Sequence, residues 1–378
     1  MADNKQNKRP NVPPLRFPEF TEPWENSTIG DNFELYSGNT PSRLEKEQFA
    51  GDINWITSGE LKNHYISKTN ETITKEAAEN NNLRLLPIGT FVIAIYGLEA
   101  DGVRSTGSIT RELSTISQAC MAFLPKRDIS NEFLFSWYMK HGNTIGLRYA
   151  QGTKQQNLSY DIIKKFKITY PSKAEQQKLE YFIGLLDRRI AVQSKLIEDL
   201  QQLKSAICKK LLSRSSWNEY IIDDICDSVS FKEYIAEVEE NGSFPIIQQG
   251  ETPILGYGNK KPYYNYNSVI IFGDHTLSLY KPQVPFLVAT DGVKMLSPKP
   301  FVTRDFLYYL IETFMPISQG YKRHFSILKE QIVRLPSLKE QTIIGKRLSL
   351  LDTKIRIEQQ LYDCYISQKQ YLLGQMFI

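Results

Sequence analysis

The sequence predicts a mixed α/β (α+β) protein in which two repeated globular domains are separated by two long helices, the helices forming an antiparallel coiled coil about a pseudo-twofold axis. Three observations carry this reading. Between Ala174 and Ser213, alternating steps of four and three place Leu179, Ile183, Leu186, Ile190, Gln193, Ile197, Leu200, Lys204, Ile207 and Leu211 on one stripe, the a/d seam of a coiled coil. The same ten steps recur through Ile344, Leu348, Leu351, Ile355, Glu358, Tyr362, Tyr365, Lys369, Leu372 and Met376, with the polar interruptions at the same two places. The flanks agree as well: Pro171, Ser172, Glu175, Gln176 and Asp187 match Pro336, Ser337, Glu340, Gln341 and Asp352 at a constant offset of 165. A helix of ~60 Å, at ~1.5 Å per residue, needs a partner to cover its stripe, and the second copy supplies one. An internal repeat of this kind makes the two halves architectural equivalents.

The chain then divides into a polar tail (1–16), a first globular domain (17–173), a first long helix (174–216), a second domain (217–338) and a second long helix (339–378). Trp24, Ile29 and Asp31 recur as Trp217, Ile222 and Asp224 at an offset of 193. The strand-like INWITSGEL from Ile53 pairs with FPIIQQGE from Phe244 at 191, and FVIAIYG, ending at Gly97, pairs with SVIIFG, ending at Gly273, at 176. Two short amphipathic helices, EFLFSWYM from Glu132 and DFLYYLIE from Asp305, match at 173, and Gln151-Gly152 matches Gln319-Gly320 at 168. A drifting offset in the domains and a constant one in the helices mean that loops changed length while the scaffold held its register. The largest drift puts about 15 extra residues of the first domain between Glu60 and Gly97.

Composition excludes several classes. With 378 residues, 41% apolar and 23% charged, the chain suits an ordinary globular protein with two cores. No run approaches the ~20 apolar residues of a membrane span, and MADNKQNKRPNVPP has no signal-peptide core, so a cytoplasmic protein without membrane contact is expected. Cys120, Cys208, Cys226 and Cys364 are scattered without a CxxC pair, and His64, His141, His275 and His324 are equally dispersed; neither a disulfide framework nor a metal site is indicated. Catalytic motifs are missing too. GVRSTGS (Gly102 to Ser108) has phosphate-loop glycines but Ser108 where the lysine belongs, and there is no methyltransferase tetrapeptide, GxSxG, HExxH or EF-hand. The chain reads as a binder with no catalytic residue and no cofactor of its own.

Its net charge of +4 is too small to identify a partner, but the charge is local: residues 140 to 167 carry six Lys/Arg against one Asp. There Arg148, Lys154, Gln155, Gln156, Asn157 and Ser159 gather in one loop, and Lys322, Arg323, His324 and Ser326 gather at the equivalent place of the second domain. Amides and guanidinium groups can pair with purine edges, while Lys and Ser hold phosphates. One such loop alone reads as a solvated loop; recurrence in both copies favours binding. Two further loop pairs share this status, Thr57, Ser58 and Glu60 with Gln248 and Gln249, and Tyr96 with His275, along with Arg104 from the GVRSTGS stretch. KKPYYNYN, starting at Lys260 and Lys261, mixes cations with aromatics and reads equally as a backbone grip or a strand edge.

The RFPEF…W opening, the TP…INWITSGEL segment, the paired YPSKAEQ and LPSLKEQ junctions into long helices, and the duplication itself resemble the specificity subunit of type I restriction and modification enzymes, over residues 10 to 378. The resemblance implies two target recognition domains, each reading one half of a split, asymmetric double-stranded DNA site, with the helices as a ruler for the unread spacer. It implies docking of two modification (methyltransferase) subunits, which bring S-adenosylmethionine and methylate a flipped adenine at N6, and of restriction/translocase subunits that use ATP and Mg2+. The rival reading is a non-catalytic adaptor that binds proteins through both domains. Within the seam, a pseudo-twofold that pairs Gln193 with Lys369 also pairs Lys204 with Glu358, a register-setting contact; ordinary surface exposure is the alternative.

Overall fold

The computed structural model describes residues 11–100, 102–152, 156–290, 292–320 and 322–378. It divides into two compact units, Met1–Ala191 with Asp363–Ile378, and Val192–Tyr362. Each globular part is thus completed by a stretch of both long helices, Lys173–Leu212 and Leu338–Met376.

The first unit centres on a five-stranded sheet ordered Phe33–Ser37, Cys120–Pro125, Phe91–Ala94, Gly107–Thr110, Tyr65–Ile66, antiparallel except for its last pair. The strands Phe91–Ala94 and Cys120–Pro125 are almost wholly apolar because helix Asn131–Tyr149 covers one face, leaving no side open to alternate with water. A smaller sheet joins Ile53–Ile56 to Thr72–Ile73 and, in parallel, to Ser114–Ile116. The second unit repeats the plan: a four-stranded antiparallel sheet (Cys226–Val229, Val293–Pro298, Ile270–Gly273, Leu279–Tyr280), a three-stranded one around Phe244–Ile247, and helix Arg304–Thr313. Both covering helices start on a hydroxyl cap, Ser130 to the Phe133 N–H and Thr303 to the Phe306 N–H.

Ladder register corrects one sequence match. Phe91 faces Phe123 and Ile270 faces Leu296, while Pro125 and Pro298 close the equivalent ladders on Phe33 and Cys226. Strand Phe91–Ala94 therefore corresponds to Ile270–Gly273 at an offset of 179, not 176, and Gly273 is the counterpart of Ala94 rather than Gly97. Both runs end in glycine, but only the ladder says how far each strand continues before its turn. The extra length of the first unit before this strand includes helix Lys75–Asn80.

The paired Pro-x-x-x-Glu-Gln junctions have a mechanical explanation. Gln176, buried, donates from Nε2 to the carbonyls of Asp128 (2.9 Å) and Pro171 (3.0 Å) and accepts the Ser130 N–H (3.0 Å) at Oε1. Gln341 does the same in the second unit, to Phe301 (3.0 Å), Pro336 (3.0 Å) and the Thr303 N–H (2.9 Å). A primary amide is the side chain that can give and accept here at once, so each glutamine ties a covering helix to a long helix. The neighbouring glutamates differ. Glu175 is buried, bidentate with Arg16 (2.7 and 2.6 Å) and bonded to the Trp24 indole (3.2 Å), whereas Glu340 is exposed and caps Ser337.

Along the seam Ile183, Ile197 and Leu348 are buried, and Leu186, Ile190, Leu200, Leu351, Ile355, Tyr362 and Tyr365 half-buried. Within each unit the two helix segments run antiparallel. In the first, Asp187 takes Lys369 and Arg189 lies over the Tyr365 ring at 4.6 Å; in the second, Gln193 meets Glu358 and Lys204 meets Asp352 at 2.7 Å. The expected partners are exchanged. Gln193 donates to the Glu358 carboxylate (2.6 Å) and carbonyl (3.0 Å), not to Lys369, and Lys204 leaves the seam for Asp352 and Glu312 rather than Glu358. The Glu358 carboxylate is met by the Lys354 ammonium of its own helix and, across the seam, by the neutral Gln193 amide, while the longer lysines reach the acids twelve residues after each junction glutamate.

Candidate nucleic-acid interface

In the first unit, the turn after strand Phe91–Ala94 meets the loop before helix Tyr160–Lys164. The Leu158 N–H donates to the Ile95 carbonyl (2.8 Å), the Leu98 N–H to the Gln156 carbonyl (3.0 Å), and the Gln156 N–H to the Glu99 carboxylate (2.7 Å). Arg104 Nη2 then donates to Gln156 Oε1 at 2.7 Å. Tyr96, Arg104 and Gln156 are thereby gathered from three places in the sequence. Asn157 bridges to Gln151 through paired backbone bonds of 2.9 Å, Ser159 caps the short helix, and Arg148 is exposed on the last turn of helix Asn131–Tyr149. Lys154 and Gln155 lie outside the described residues. The Ser58–Glu60 turn packs beside the same strand. There Glu60 accepts from the Thr57 N–H (2.8 Å), the Thr57 hydroxyl (2.7 Å) and the Asn70 N–H (2.6 Å), so Thr57 and Glu60 shape the turn and Ser58 is its remaining polar side chain.

The second unit builds its counterpart around buried Asp274, whose carbonyl accepts the His324 N–H (2.8 Å) and whose carboxylate accepts the Phe325 N–H (2.8 Å). Ile95 and Asp274 stand at the same ladder offset, so the same turn is tied to the same short helix in both units. Gln249 accepts the His275 N–H (3.1 Å), Gln248 donates to the Thr252 carbonyl (3.0 Å), and the Gly250 N–H reaches Ser278 (2.9 Å), joining the loop after Phe244–Ile247 to this cluster. Gly250 has φ +112°, a conformation a side chain would strain. Lys322, Arg323 and Ser326 are exposed, and His275 is half-buried.

One expectation is corrected, and one loop is placed. His324 is fully buried, its Nδ1 on the Asp274 carbonyl (3.1 Å) and its Nε2 on the Gln319 N–H (3.0 Å), so both ring nitrogens are committed to holding the loop. Lys260 and Lys261 lie apart from Gln248 and Gln249: the antiparallel register sets Phe244 against Gly258 and Ile247 against Ile254, which puts the KKPYYNYN loop at the opposite end of the strand pair, with Lys260 on the Ile235 carbonyl (2.9 Å). Hydrogen-bond geometry of this kind is invisible to composition.

His64, one of four dispersed histidines in the sequence, has a specific place. It is stacked between Tyr65 (4.1 Å) and Phe135 (4.0 Å), with Nε2 2.9 Å from Glu132 and Nδ1 3.4 Å from Asp187 of the long helix. Burial pulls its pKa down, but the Asp187 and Glu132 carboxylates outweigh burial and leave it above the ordinary histidine value. In the second unit Lys281 does this work from a different sequence position. It pairs with Asp305 (2.8 Å) and lies over Tyr308 (5.1 Å), the counterparts of Glu132 and Phe135 at an offset of 173. No motif signals either residue, because the cation is supplied from unrelated loops.

The fold and loops define a class: a duplicated α+β binding protein whose two units each present a polar, partly basic loop cluster. The sequence matches the family described as type I restriction modification DNA specificity domain over residues 21–202 and 214–363, and the chain belongs to that family. It is 30% identical over 193 residues to the type I restriction enzyme MjaIX specificity subunit of Methanocaldococcus jannaschii (49% of this chain, 43% of that protein). It is 27% identical over 189 residues to the EcoR124I/EcoR124II specificity subunit of Escherichia coli (49% and 45%), so the match spans less than half the length of either relative. The MjaVIII specificity subunit of M. jannaschii matches at 22% over 92% of this chain and 89% of its own. The fold resembles the crystal structure of the type I restriction-modification system S subunit from M. genitalium, with a TM-score of 0.63 and 18% identity over 97% and 99% of the two chains.

Proposed function

We propose that this chain is the DNA-specificity subunit of a type I restriction–modification complex. Each unit reads one half of a bipartite, asymmetric site in double-stranded DNA through its loop cluster, and the two halves differ because the loops differ. The observation that carries this is the recurrence of the cluster: the same strand turn is tied to the same short helix in both units, by Leu158 on Ile95 and by His324 on Asp274, while the exposed side chains around it are unlike. The long helices shared by the two units set the unread spacer as an antiparallel coiled coil. Base-reading loops on a stiff spacer enforce one separation, which flexibly tethered domains cannot.

The chain is non-catalytic in this reading. Two modification subunits bring S-adenosylmethionine and the adenine N6 chemistry, and restriction subunits bring ATP and Mg2+. In support, each long helix keeps a second apolar stripe exposed, Leu185, Val192 and Leu196 on one and Leu350, Ile357 and Leu361 on the other, at equivalent positions. A stripe repeated once per helix suits two copies of one partner. Among the described residues no helix is long and apolar enough to cross a membrane. The test is methylome sequencing of cells with and without this chain, together with binding of the purified complex to random DNA. One bipartite sequence, dependent on the chain, is expected; an adaptor that binds only proteins yields none.

A further inference from the structure

We infer that Arg104 reads a guanine in the half-sequence recognised by the first unit, a reading that rests on the DNA-specificity function proposed above. An unusual amount of structure is spent on holding this one side chain. Arg104 sits in a turn between Gly102 at φ +73° and Ser105 at φ +58°, a left-handed conformation that is strained for a non-glycine residue and persists only where its surroundings enforce it. Its aliphatic stem lies across helix Asn131–Tyr149 where that helix carries Gly146; a Cβ there would come within 2.8 Å of Arg104 Cγ. One turn earlier Gly142 makes the same room for Ser105, at 2.9 Å. Glycines inside a helix are unfavourable, and here two of them clear the bed of a single turn.

The guanidinium is held by an amide and not by a direct ion pair. Nη2 donates to Gln156 Oε1 at 2.7 Å, and among the described residues no carboxylate pairs with Arg104. Glu99, whose pKa is lowered mainly by the Gln156 N–H and also by the charge of Arg104, bonds to that N–H and not to the guanidinium. Nε is buried and unpaired, so the half-buried side chain offers Nη1 and the second Nη2 hydrogen. That is an end-on pair of donors fixed in direction, which matches the O6 and N7 acceptors of guanine in the major groove. A phosphate contact needs no such fixing, since Lys or a mobile Arg serves. Among the described residues the second unit shows no counterpart, its path from Gly273 to Val293 being six residues shorter than that from Ala94 to Cys120. The residue therefore belongs to one half-sequence only.

The experiment uses the assembled complex and maps methylation on a library in which each base pair of the wild-type site is varied. Arg104→Ala and Arg104→Lys are each expected to relax a single G·C position in one half by roughly tenfold or more, with the other half unchanged. Gln156→Leu, which leaves Arg104 in place but unheld, is expected to relax the same position less. The inference is overturned if the recognised sequence is unchanged in Arg104→Ala. It is also overturned if binding weakens evenly across sequences with a shallower salt dependence that Arg104→Lys restores, which marks a phosphate contact, or if both half-sequences are lost together, which makes Arg104 a support of the fold. A wild-type complex with no bipartite sequence at all defeats the underlying function instead.

Discussion

Replacing Gln176 by leucine would leave a backbone N–H and two carbonyls unpaired at the junction of the first unit, those of Ser130, Asp128 and Pro171. Each such bond contributes about 1 kcal/mol net, and orphaned buried groups cost about 1–3 kcal/mol each. Water can recover part of the carbonyl loss, so roughly 3 kcal/mol is expected, or about 6–12 °C in the melting of a unit of this size at ~2–4 °C per kcal/mol. Gln341→Leu should cost the second unit a similar amount through Thr303, Phe301 and Pro336. Two units do not melt as one two-state system, so hydrogen exchange at the Ser130 and Thr303 amides must assign each loss to its unit. Gln176→Glu sharpens the test. It keeps the acceptor for Ser130 but turns a second oxygen towards two carbonyls, tolerable only when protonated, so its folded pKa is raised above the ordinary glutamate value. Its stability is then fully present at low pH and lost as pH rises through that raised value. A Gln176→Leu protein within about 0.5 kcal/mol of wild type, well below the net worth of one hydrogen bond, or a Gln176→Glu protein indifferent to pH, would refute the clamp.

Arg16→Ala should destabilise the first unit by about 3–5 kcal/mol, because it strands the buried Glu175 carboxylate; Arg16→Met with Glu175→Leu should recover most of that in urea unfolding. His64 makes the first unit sensitive to pH. It faces Glu132 and Asp187, with Lys369 on the far side of Asp187, and its raised pKa means the stabilisation is complete below the ordinary histidine value and fades as pH climbs through the raised one. His64→Lys, which copies the cation that the second unit supplies with Lys281, should flatten that dependence across neutral and mildly alkaline pH, as thermal melts at stepped pH would report. Inserting one heptad after Ile190 and another after the equivalent Ile355 should lengthen the preferred spacer by about 3 base pairs, from ~10 Å of added helix, with both half-sequences intact; methylation at the original spacing would sink the ruler.

Much of the fold is legible because it is written twice. The seam from Ile183 to Leu200 and its copy from Leu348 to Tyr365 match step for step, since a helix keeps a constant rise and an insertion would rotate every later residue off the stripe. The same logic exposes the junction glutamines without any knowledge of their bonds. The domains are less legible where a loop absorbs an insertion at no cost to the core. The Gly97 and Gly273 match is three residues out for that reason, and the KKPYYNYN loop could not be assigned to an end of its strand. Of the candidate site, the loops around Tyr96, Gln156, Gln249 and Lys322 are found by composition and recurrence, but the burial of His324 and the capping duty of Glu60 are not.

What the sequence determined alone is the duplication, the helix periodicity, and hence an architecture of two related units on two long helices, because these depend on local period and on comparison of the chain with itself. What tertiary structure decided is which polar groups meet: Gln193 with Glu358 and Lys204 with Asp352, His64 between Glu132 and Asp187, and Arg104 against Gly146 and Gln156. Those pairings rest on distances of about 3 Å between residues far apart in the chain, set by how sheets, caps and helices pack, and no periodicity encodes them.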